Sequence, residues 1–94
     1  MQHIYYFYIL KCSDESFYVG STTNLENRLK AHNRGEGAVH TAKRRPVHLV
    51  YHEIFKDFDA AVKRERQVKK WTRAKKEALI YGDKERLMEL SKSN

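Results

Sequence analysis

The stretch FYVGSTTNLENRLKAH, residues 17–32, brings together a strand-like run, one glycine and the start of a helix. Tyr18 and Val19, directly before Gly20, are residue types that favour strands. The run TNLE at residues 23–26 matches a capping box, in which a threonine hydroxyl and a glutamate carboxylate bind free backbone amides. The stretch therefore predicts a strand that passes through Gly20 into a short helix.

The predicted helix has one apolar side and one basic border. Leu25 and Leu29 face the core at helical spacing, while Arg28 and His32, one turn apart, lie together beside that apolar stripe. Two basic groups therefore converge on one patch.

Upstream of this stretch, HIYYFYILK at residues 3–11 reads as a strand. Alternation places one set of side chains on the same side of it: Ile4, Tyr6, Tyr8 and Leu10. Residues 13–16 are polar turn formers, which predict a hairpin between this strand and the next. Tyr8 and Tyr18 should then lie on neighbouring strands.

Downstream, GEGAVHTAKRRP at residues 35–46 reads as an exposed basic loop that Pro46 closes. VHLVYHEIF, residues 47–55, follows as a third strand. Its apolar residues recur at period two: Val47, Leu49, Tyr51 and Phe55.

A helix should run from a cap at Asp59 to about Trp71, with an apolar arc of Ala61, Val62 and Val68. Two shorter helices should start at Thr72 and Asp83, with Gly82 between them. Glu65 falls within the apolar arc. Burying a carboxylate without a partner costs several kcal/mol, so Glu65 needs a cation, a hydrogen-bond donor or a metal.

Composition sets the class of protein. The 94 residues fit one domain with one small core. Nineteen Lys and Arg against 12 Asp and Glu leave a net charge of +7, which favours polyanions such as nucleic acid. A charged surface that serves only solubility is the alternative.

Cysteine content and hydropathy indicate the compartment. Cys12 is the single cysteine, so neither an internal disulfide nor a cysteine zinc site can form within one chain. The sequence has neither an apolar run long enough to span a membrane nor the features of a secretory signal. We therefore expect a cytoplasmic protein that does not bind membranes.

Five residues, in their order and spacing, resemble the GIY-YIG nuclease superfamily: Tyr8, Tyr18, Arg28, His32 and Glu65. YFY at residues 6–8 and YVG at residues 18–20 resemble the two tyrosine motifs of that family. The resemblance covers residues 5 to about 80 and is greatest to the small, stand-alone bacterial members. Their YIL, YxGST, RLxxHN and TxxRRP motifs are all present.

The resemblance implies a small α/β domain of the α+β type: a three-stranded antiparallel or mixed sheet flanked by helices, in the order β-β-α-β-α-α. The nuclease domain would span residues 1–82, and residues 83–94 would form a C-terminal helix or tail. The implied activity is metal-dependent hydrolysis of DNA phosphodiester bonds in repair or processing. A chain of this length leaves no room for an added recognition module, so we expect weak sequence preference.

The resemblance also implies roles for the five residues. Tyr8 or Tyr18 would hydrogen-bond the attacking water, and Arg28 and His32 would assist at the phosphate. Glu65 would bind one divalent cation, Mg²⁺ or Mn²⁺; a structural ion pair with Arg28 is its alternative. The expected substrate-binding residues are Gly20, Ser21, Thr22, Lys43, Arg44, Arg45 and Lys69.

Two other functions stay open. Many nucleases of the superfamily have a lysine where this chain has Ser21, which is compatible with a nucleic-acid-binding module of little catalytic power. A docking domain in a repair complex is the second alternative, with exposed Leu87, Met88 and Leu90 on the last helix. We expect a monomer that binds DNA, with a protein partner available for targeting.

Overall fold

The computed structural model describes residues 3–92; the outer ends of the predicted domain and tail, residues 1–2 and 93–94, lie outside the described residues. In chain order the elements are β1 (Tyr5–Lys11), β2 (Phe17–Thr22), α1 (Leu25–Asn33), α2 (Val39–Ala42), β3 (His48–Phe55), α3 (Phe58–Lys69), α4 (Arg73–Tyr81) and α5 (Lys84–Lys92). The strand order is β2-β1-β3, and both pairings are antiparallel. The predicted fold class is confirmed.

Strand β1 lies at the centre of the sheet and is buried on both sides. Phe7 and Ile9 pack with Val68 of α3 and Leu79 of α4, which defines the α3 side of the sheet. Tyr8 and Leu10 pack on the opposite side, the α1 side, with Leu25 and Leu29 among their neighbours. The near-continuous apolar sequence of β1 follows from this double burial.

The structure corrects two predicted helix caps. Asn24, not Thr23 of the predicted capping box, is the N-cap of α1 and accepts a hydrogen bond from the Asn27 amide. Asp57, not Asp59, caps α3. Short polar side chains within one or two positions of each other all suit the N-cap, so sequence alone does not choose between them. Gly82, at φ 69°, ends α4 as predicted.

The third strand departs from the predicted alternation. Ile9 pairs with Tyr51 and Leu10 with Leu49, so Val50 is an extra residue opposite β1. A bulge of this kind turns the following side chains to the other side of the sheet. Leu49 therefore packs on the α1 side, whereas Tyr51 packs on the α3 side.

Residues 35–46 are not a wholly exposed loop. They contain the short helix α2, in which Thr41 is fully buried.

The last helix also differs from its prediction. Leu87 packs against the core on the α3 side and Leu90 is half-buried, whereas Met88 is 60% exposed. Within residues 3–92, no helix is long and apolar enough to cross a membrane.

Candidate active site

Tyr8 of β1 forms the buried centre of the candidate site. Its side chain is 2% exposed, and its hydroxyl lies 3.0 Å from His32 Nε2 and 3.4 Å from Arg28 Nε. Gly20 is its partner across the strand pair, where an added Cβ would lie 2.5 Å from the Tyr8 hydroxyl. Glycine is therefore needed at this position for the tyrosine ring to lie across β2.

His32 connects Tyr8 to Thr41 of α2. Its Nδ1 lies 2.7 Å from Thr41 Oγ1, which is 3.2 Å from the Ala38 carbonyl oxygen. A carbonyl can only accept, so we assign the Thr41 proton to Ala38 and the Nδ1 proton of His32 to Thr41. Nε2 then accepts from Tyr8, whose oxygen accepts from Arg28. For a neutral imidazole, only this assignment gives every one of these contacts a donor and an acceptor.

Electrostatics agree with this direction of the hydrogen bonds. Burial, together with the nearby Arg28 charge, lowers the pKa of His32 to about 4. Burial also raises the pKa of Tyr8 above its usual value, and outweighs the opposite effect of Arg28. At neutral pH both groups are therefore uncharged, with the phenol proton on Tyr8 and the Nε2 lone pair free to accept it.

Arg28 of α1 is held at two of its nitrogens. Besides the Nε contact with Tyr8, Nη2 donates to the Gly37 carbonyl at 3.0 Å. The Tyr8 hydroxyl, with a smaller effect from Tyr18, raises the pKa of Arg28, so the guanidinium stays charged. Both predicted tyrosines therefore adjoin the predicted arginine.

Tyr18 is the more accessible of the two tyrosines. It is half-buried on β2, with its ring 5.1 Å from the His32 ring and 6.2 Å from that of His40. The His32 ring meets it at a tilt of 60°, whereas the His40 ring is nearly parallel. The ring is therefore fixed between two imidazoles.

Glu65 lies on the other side of the sheet. Ser21 Oγ donates to its Oε1 at 2.7 Å, and Lys69 Nζ lies 3.5 Å from Oε2. The partner that its place in the apolar arc required is therefore mainly a serine hydroxyl. No ion pair joins Glu65 to Arg28 within residues 3–92, although the Glu65 charge contributes to the raised pKa of Tyr8.

The site thus occupies both sides of edge strand β2. Tyr18 pairs with Leu10 and faces the α1 side, whereas Ser21 pairs with Phe7 and faces the α3 side. Gly20 lies between them, and the Tyr8 ring occupies the space on its α1 side. Because β2 is an edge strand, a ligand at this edge can contact residues from both sides of the sheet.

The predicted substrate-binding arginines are engaged within the protein. Arg44 Nε pairs with Asp14 at 2.9 Å, and its Nη1 donates to the His40 carbonyl. Arg45 Nε donates to the Ala42 carbonyl at 2.9 Å. These guanidinium groups hold the ends of residues 35–46 in place.

The other predicted contacts are polar and accessible. Thr22 accepts a hydrogen bond from the Asn24 amide, next to the α1 cap. Lys43 is exposed, and Lys69 is 59% exposed beside Glu65.

Within the described part of the chain, no three His, Cys, Asp or Glu residues converge as a metal cluster. Glu65 is thus a lone carboxylate ligand candidate.

Sequence reasoning missed Thr41 and Gly37. A Cβ on Gly37 would overlap the His32 ring, so this glycine lets the backbone pass close to the imidazole and present its carbonyl to Arg28. Their sequence signal was weak, because a threonine and a glycine are ordinary in a loop. Only the folded loop brings them to His32.

Comparisons with known proteins identify relatives over most of the chain. The family model described as the GIY-YIG catalytic domain matches residues 4–78. UPF0213 proteins of Bacillus pumilus and Haloquadratum walsbyi are each 49% identical over 79 residues, which cover 84% of this chain and 81% and 89% of theirs.

Two solution NMR structures are similar in fold. The UPF0213 protein of Bacillus halodurans is 41% identical, with a TM-score of 0.55 and 83% of each chain covered. A protein of E. faecalis is 45% identical, with a TM-score of 0.59, covering 87% of this chain and 90% of its own. With its sequence, its sheet and its tyrosine motifs in agreement, the chain belongs to the GIY-YIG nuclease superfamily, among relatives that are small UPF0213 proteins.

Proposed function

We propose that the protein is a divalent-cation-dependent endonuclease that hydrolyses DNA phosphodiester bonds at the β2 edge. The observation that carries this proposal is the fixed Arg28 guanidinium, held by Tyr8 and Gly37 and adjoining the accessible Tyr18. Phosphodiester hydrolysis needs an oriented water and neutralisation of charge on the phosphoryl oxygens. These side chains offer both within one edge of the sheet.

Tyr18 is the tyrosine we assign to the attacking water. Tyr8 is almost fully buried, and its hydroxyl already contacts His32 and Arg28. Tyr18 is half-buried on the edge strand, so its side chain is more accessible to solvent and substrate than that of Tyr8. It would receive a hydrogen bond from the water and orient it toward phosphorus.

Arg28 is the group we assign to the phosphate. A guanidinium has five N–H donors in a planar fork, and the contacts with Tyr8 and Gly37 leave others for phosphate oxygens. Holding it before the substrate arrives means that little reorganisation is needed during the reaction.

Tyr8, His32 and Thr41 act as positioning residues in this proposal. His32 is fully buried and both of its ring nitrogens bind the protein, so it does not itself reach a phosphate. It keeps the Tyr8 hydroxyl oriented as an acceptor for Arg28. This differs from the sequence expectation, in which His32 assisted at the phosphate directly.

Glu65 would hold the cation. A carboxylate oxygen is a ligand that Mg²⁺ and Mn²⁺ prefer, and the half-buried Glu65 side chain is 22% exposed with one strong donor, Ser21. When bound, the cation would neutralise phosphate charge and lower the pKa of a coordinated water. One protein ligand leaves most positions to water and phosphate, so binding without DNA should be weak.

The same proposal includes a cytoplasmic role in DNA repair or processing with weak sequence preference. One site per chain cuts one strand per encounter, so the expected product is a nick. A second cut needs rebinding or a second copy.

Nicking of supercoiled plasmid tests the proposal, in Mg²⁺, in Mn²⁺ and in EDTA. Glu65→Gln keeps the size of the side chain and an oxygen for Ser21, so it should fold normally and lose nicking by about 10³-fold. Glu77→Gln removes a partly exposed carboxylate on α4 that pairs with Arg73, and it is the matched control, which should keep full activity. Nicking by the parent in EDTA, or by Glu65→Gln at the parent rate, would refute the assignment.

A binding module is the second candidate, because Ser21 donates to Glu65 where many superfamily members have a lysine. A hydroxyl cannot supply that positive charge to a phosphate. DNA binding that survives Glu65→Gln, with no nicking by the parent in either metal, would favour this function.

A further inference from the structure

The exposed side of α3 carries cations that lack carboxylate partners. Lys63, Arg66 and Lys70 are all exposed, and none of their side chains forms an ion pair or hydrogen bond within residues 3–92. We call these three residues the α3 basic ridge. By contrast, the Arg64 guanidinium binds both Glu53 oxygens, at 2.9 and 3.0 Å.

The ridge is continuous with the candidate site. Successive residues of a helix are rotated by about 100° about its axis. In order of increasing angle from Glu65, the side chains of α3 on this flank are therefore Lys69, Arg66, Lys70 and Lys63. Glu65 points toward β2 through its bond with Ser21. Arg64 lies on the opposite flank, toward β3 and Glu53. Positive charge therefore extends outward from the catalytic edge on one flank of the helix.

We propose that the α3 basic ridge binds consecutive phosphates of one strand of duplex DNA and aligns that strand with the β2 edge. This rests on the proposed nuclease function but names a surface outside the reacting groups. Lys63 and Lys70 are seven residues apart, so the ridge is about 10 Å long. Three long cationic side chains spaced along the ridge can each reach a different phosphate of one strand.

Duplex DNA fits this ridge better than duplex RNA does. The B-form major groove, about 12 Å wide, admits a helix whose basic side chains contact the backbone at its lips. The major groove of A-form RNA is deep and narrow and does not admit side chains in this way. The ridge offers only cations, so contact with phosphates rather than with bases is expected, in keeping with weak sequence preference.

The test is binding of a fluorescein-labelled random-sequence DNA duplex in EDTA, measured by anisotropy over a range of salt concentrations. Changing Lys63, Arg66 and Lys70 together to Gln should reduce the slope of log K against log salt by about three units, one per cation. The control changes Lys84, Arg86 and Lys92 of α5 to Gln and removes the same net charge. It should reduce the slope by less than about one unit.

Three results would overturn the proposal: an unchanged slope in the α3 variant, an equal loss in the α5 control, or equal binding of duplex RNA by the parent. Because binding is measured in EDTA, these results do not depend on whether the protein cleaves DNA. Where nicking is observed, the α3 variant should raise KM and leave kcat unchanged, since Tyr18, Arg28 and Glu65 are intact.

Discussion

The two sides of the sheet contribute to the β2 edge in different ways. On the α1 side, Tyr8, His32 and Thr41 are buried and bonded to one another. On the α3 side, Glu65 is partly exposed, and its nearest cation, Lys69, is mostly in solvent. The first group is held by packing, whereas the second is accessible to ions and substrate.

This difference separates the residues that hold other side chains in position from those that would contact the substrate or the cation. A buried polar group that loses its partner costs about 1–3 kcal/mol, so Tyr8, His32 and Thr41 should respond to mutation in stability as well as in activity. A partly exposed group such as Glu65 or Tyr18 can be rehydrated, so its mutation should change activity alone. The predictions below test this contrast and the extent of the active domain.

The largest expected effect on stability comes from the pH dependence of His32. The pKa is held at about 4 in the folded protein by burial and by Arg28, against about 6.5 in the unfolded chain. Between these values the unfolded chain binds more protons. The free energy of unfolding should therefore fall by up to about 3 kcal/mol as pH drops from 6.5 to 4, with no further loss from His32 below that range.

Urea unfolding at several pH values, compared with His32→Gln, measures this contribution. In the variant, the part of the pH dependence of the unfolding free energy that is due to His32 should be absent. Asp14, whose pKa is lowered mainly by its hydrogen bond from Ser16, titrates below this range and remains in both proteins. An NMR titration that places the pKa of His32 above 6 would contradict the buried, neutral imidazole.

A smaller effect is expected at Thr41. Thr41→Val removes the hydroxyl at almost constant size and leaves His32 Nδ1 and the Ala38 carbonyl without their partner. Unfolding free energy should fall by about 1–2 kcal/mol, and nicking by about tenfold as Arg28 loses its fixed orientation. Thr41→Ser restores the hydroxyl and should restore both values. Loss of nicking in the serine variant would mean that the methyl group, not the hydroxyl, matters.

The smallest effect on activity is expected from the tail. We propose that residues 1–82 contain the complete nuclease domain, and a chain ending at Gly82 should nick DNA at the parent rate per folded molecule. Its stability should fall by about 1–2 kcal/mol, because Leu87 packs against the core on the α3 side. Circular dichroism gives the folded fraction. A folded but inactive shortened chain would place α5 in the active domain.

The sequence predicted the parts of the site that depend on regular spacing. Strand alternation and a hairpin placed Tyr8 and Tyr18 on neighbouring strands, and a helical turn placed Arg28 beside His32, whereas their roles are what the family resemblance implies. Glu65 was conspicuous because a carboxylate on an apolar arc needs a partner. The partner itself, Ser21, depends on how α3 packs beside β2, which spacing does not specify.

Prediction from the sequence failed where several residues suit the same local role, or where a contact joins residues that are far apart in the chain. Thr23 and Asn24 are both good N-caps, so the start of α1 was off by one position. The bulge at Val50 has no marker in a run of apolar residues. Thr41 meets His32 only because the loop folds back over α1, and nothing local in its sequence specifies that return.

Comparing Tyr8→Phe with Tyr18→Phe in one experiment tests the separation of positioning from contact most directly. Nicking rate at saturating plasmid and free energy of unfolding are measured for both variants. Tyr18→Phe should lose about 10²-fold in rate with stability unchanged, whereas Tyr8→Phe should lose both rate and about 1–3 kcal/mol of stability. A Tyr18→Phe variant that nicks at the parent rate would contradict the account.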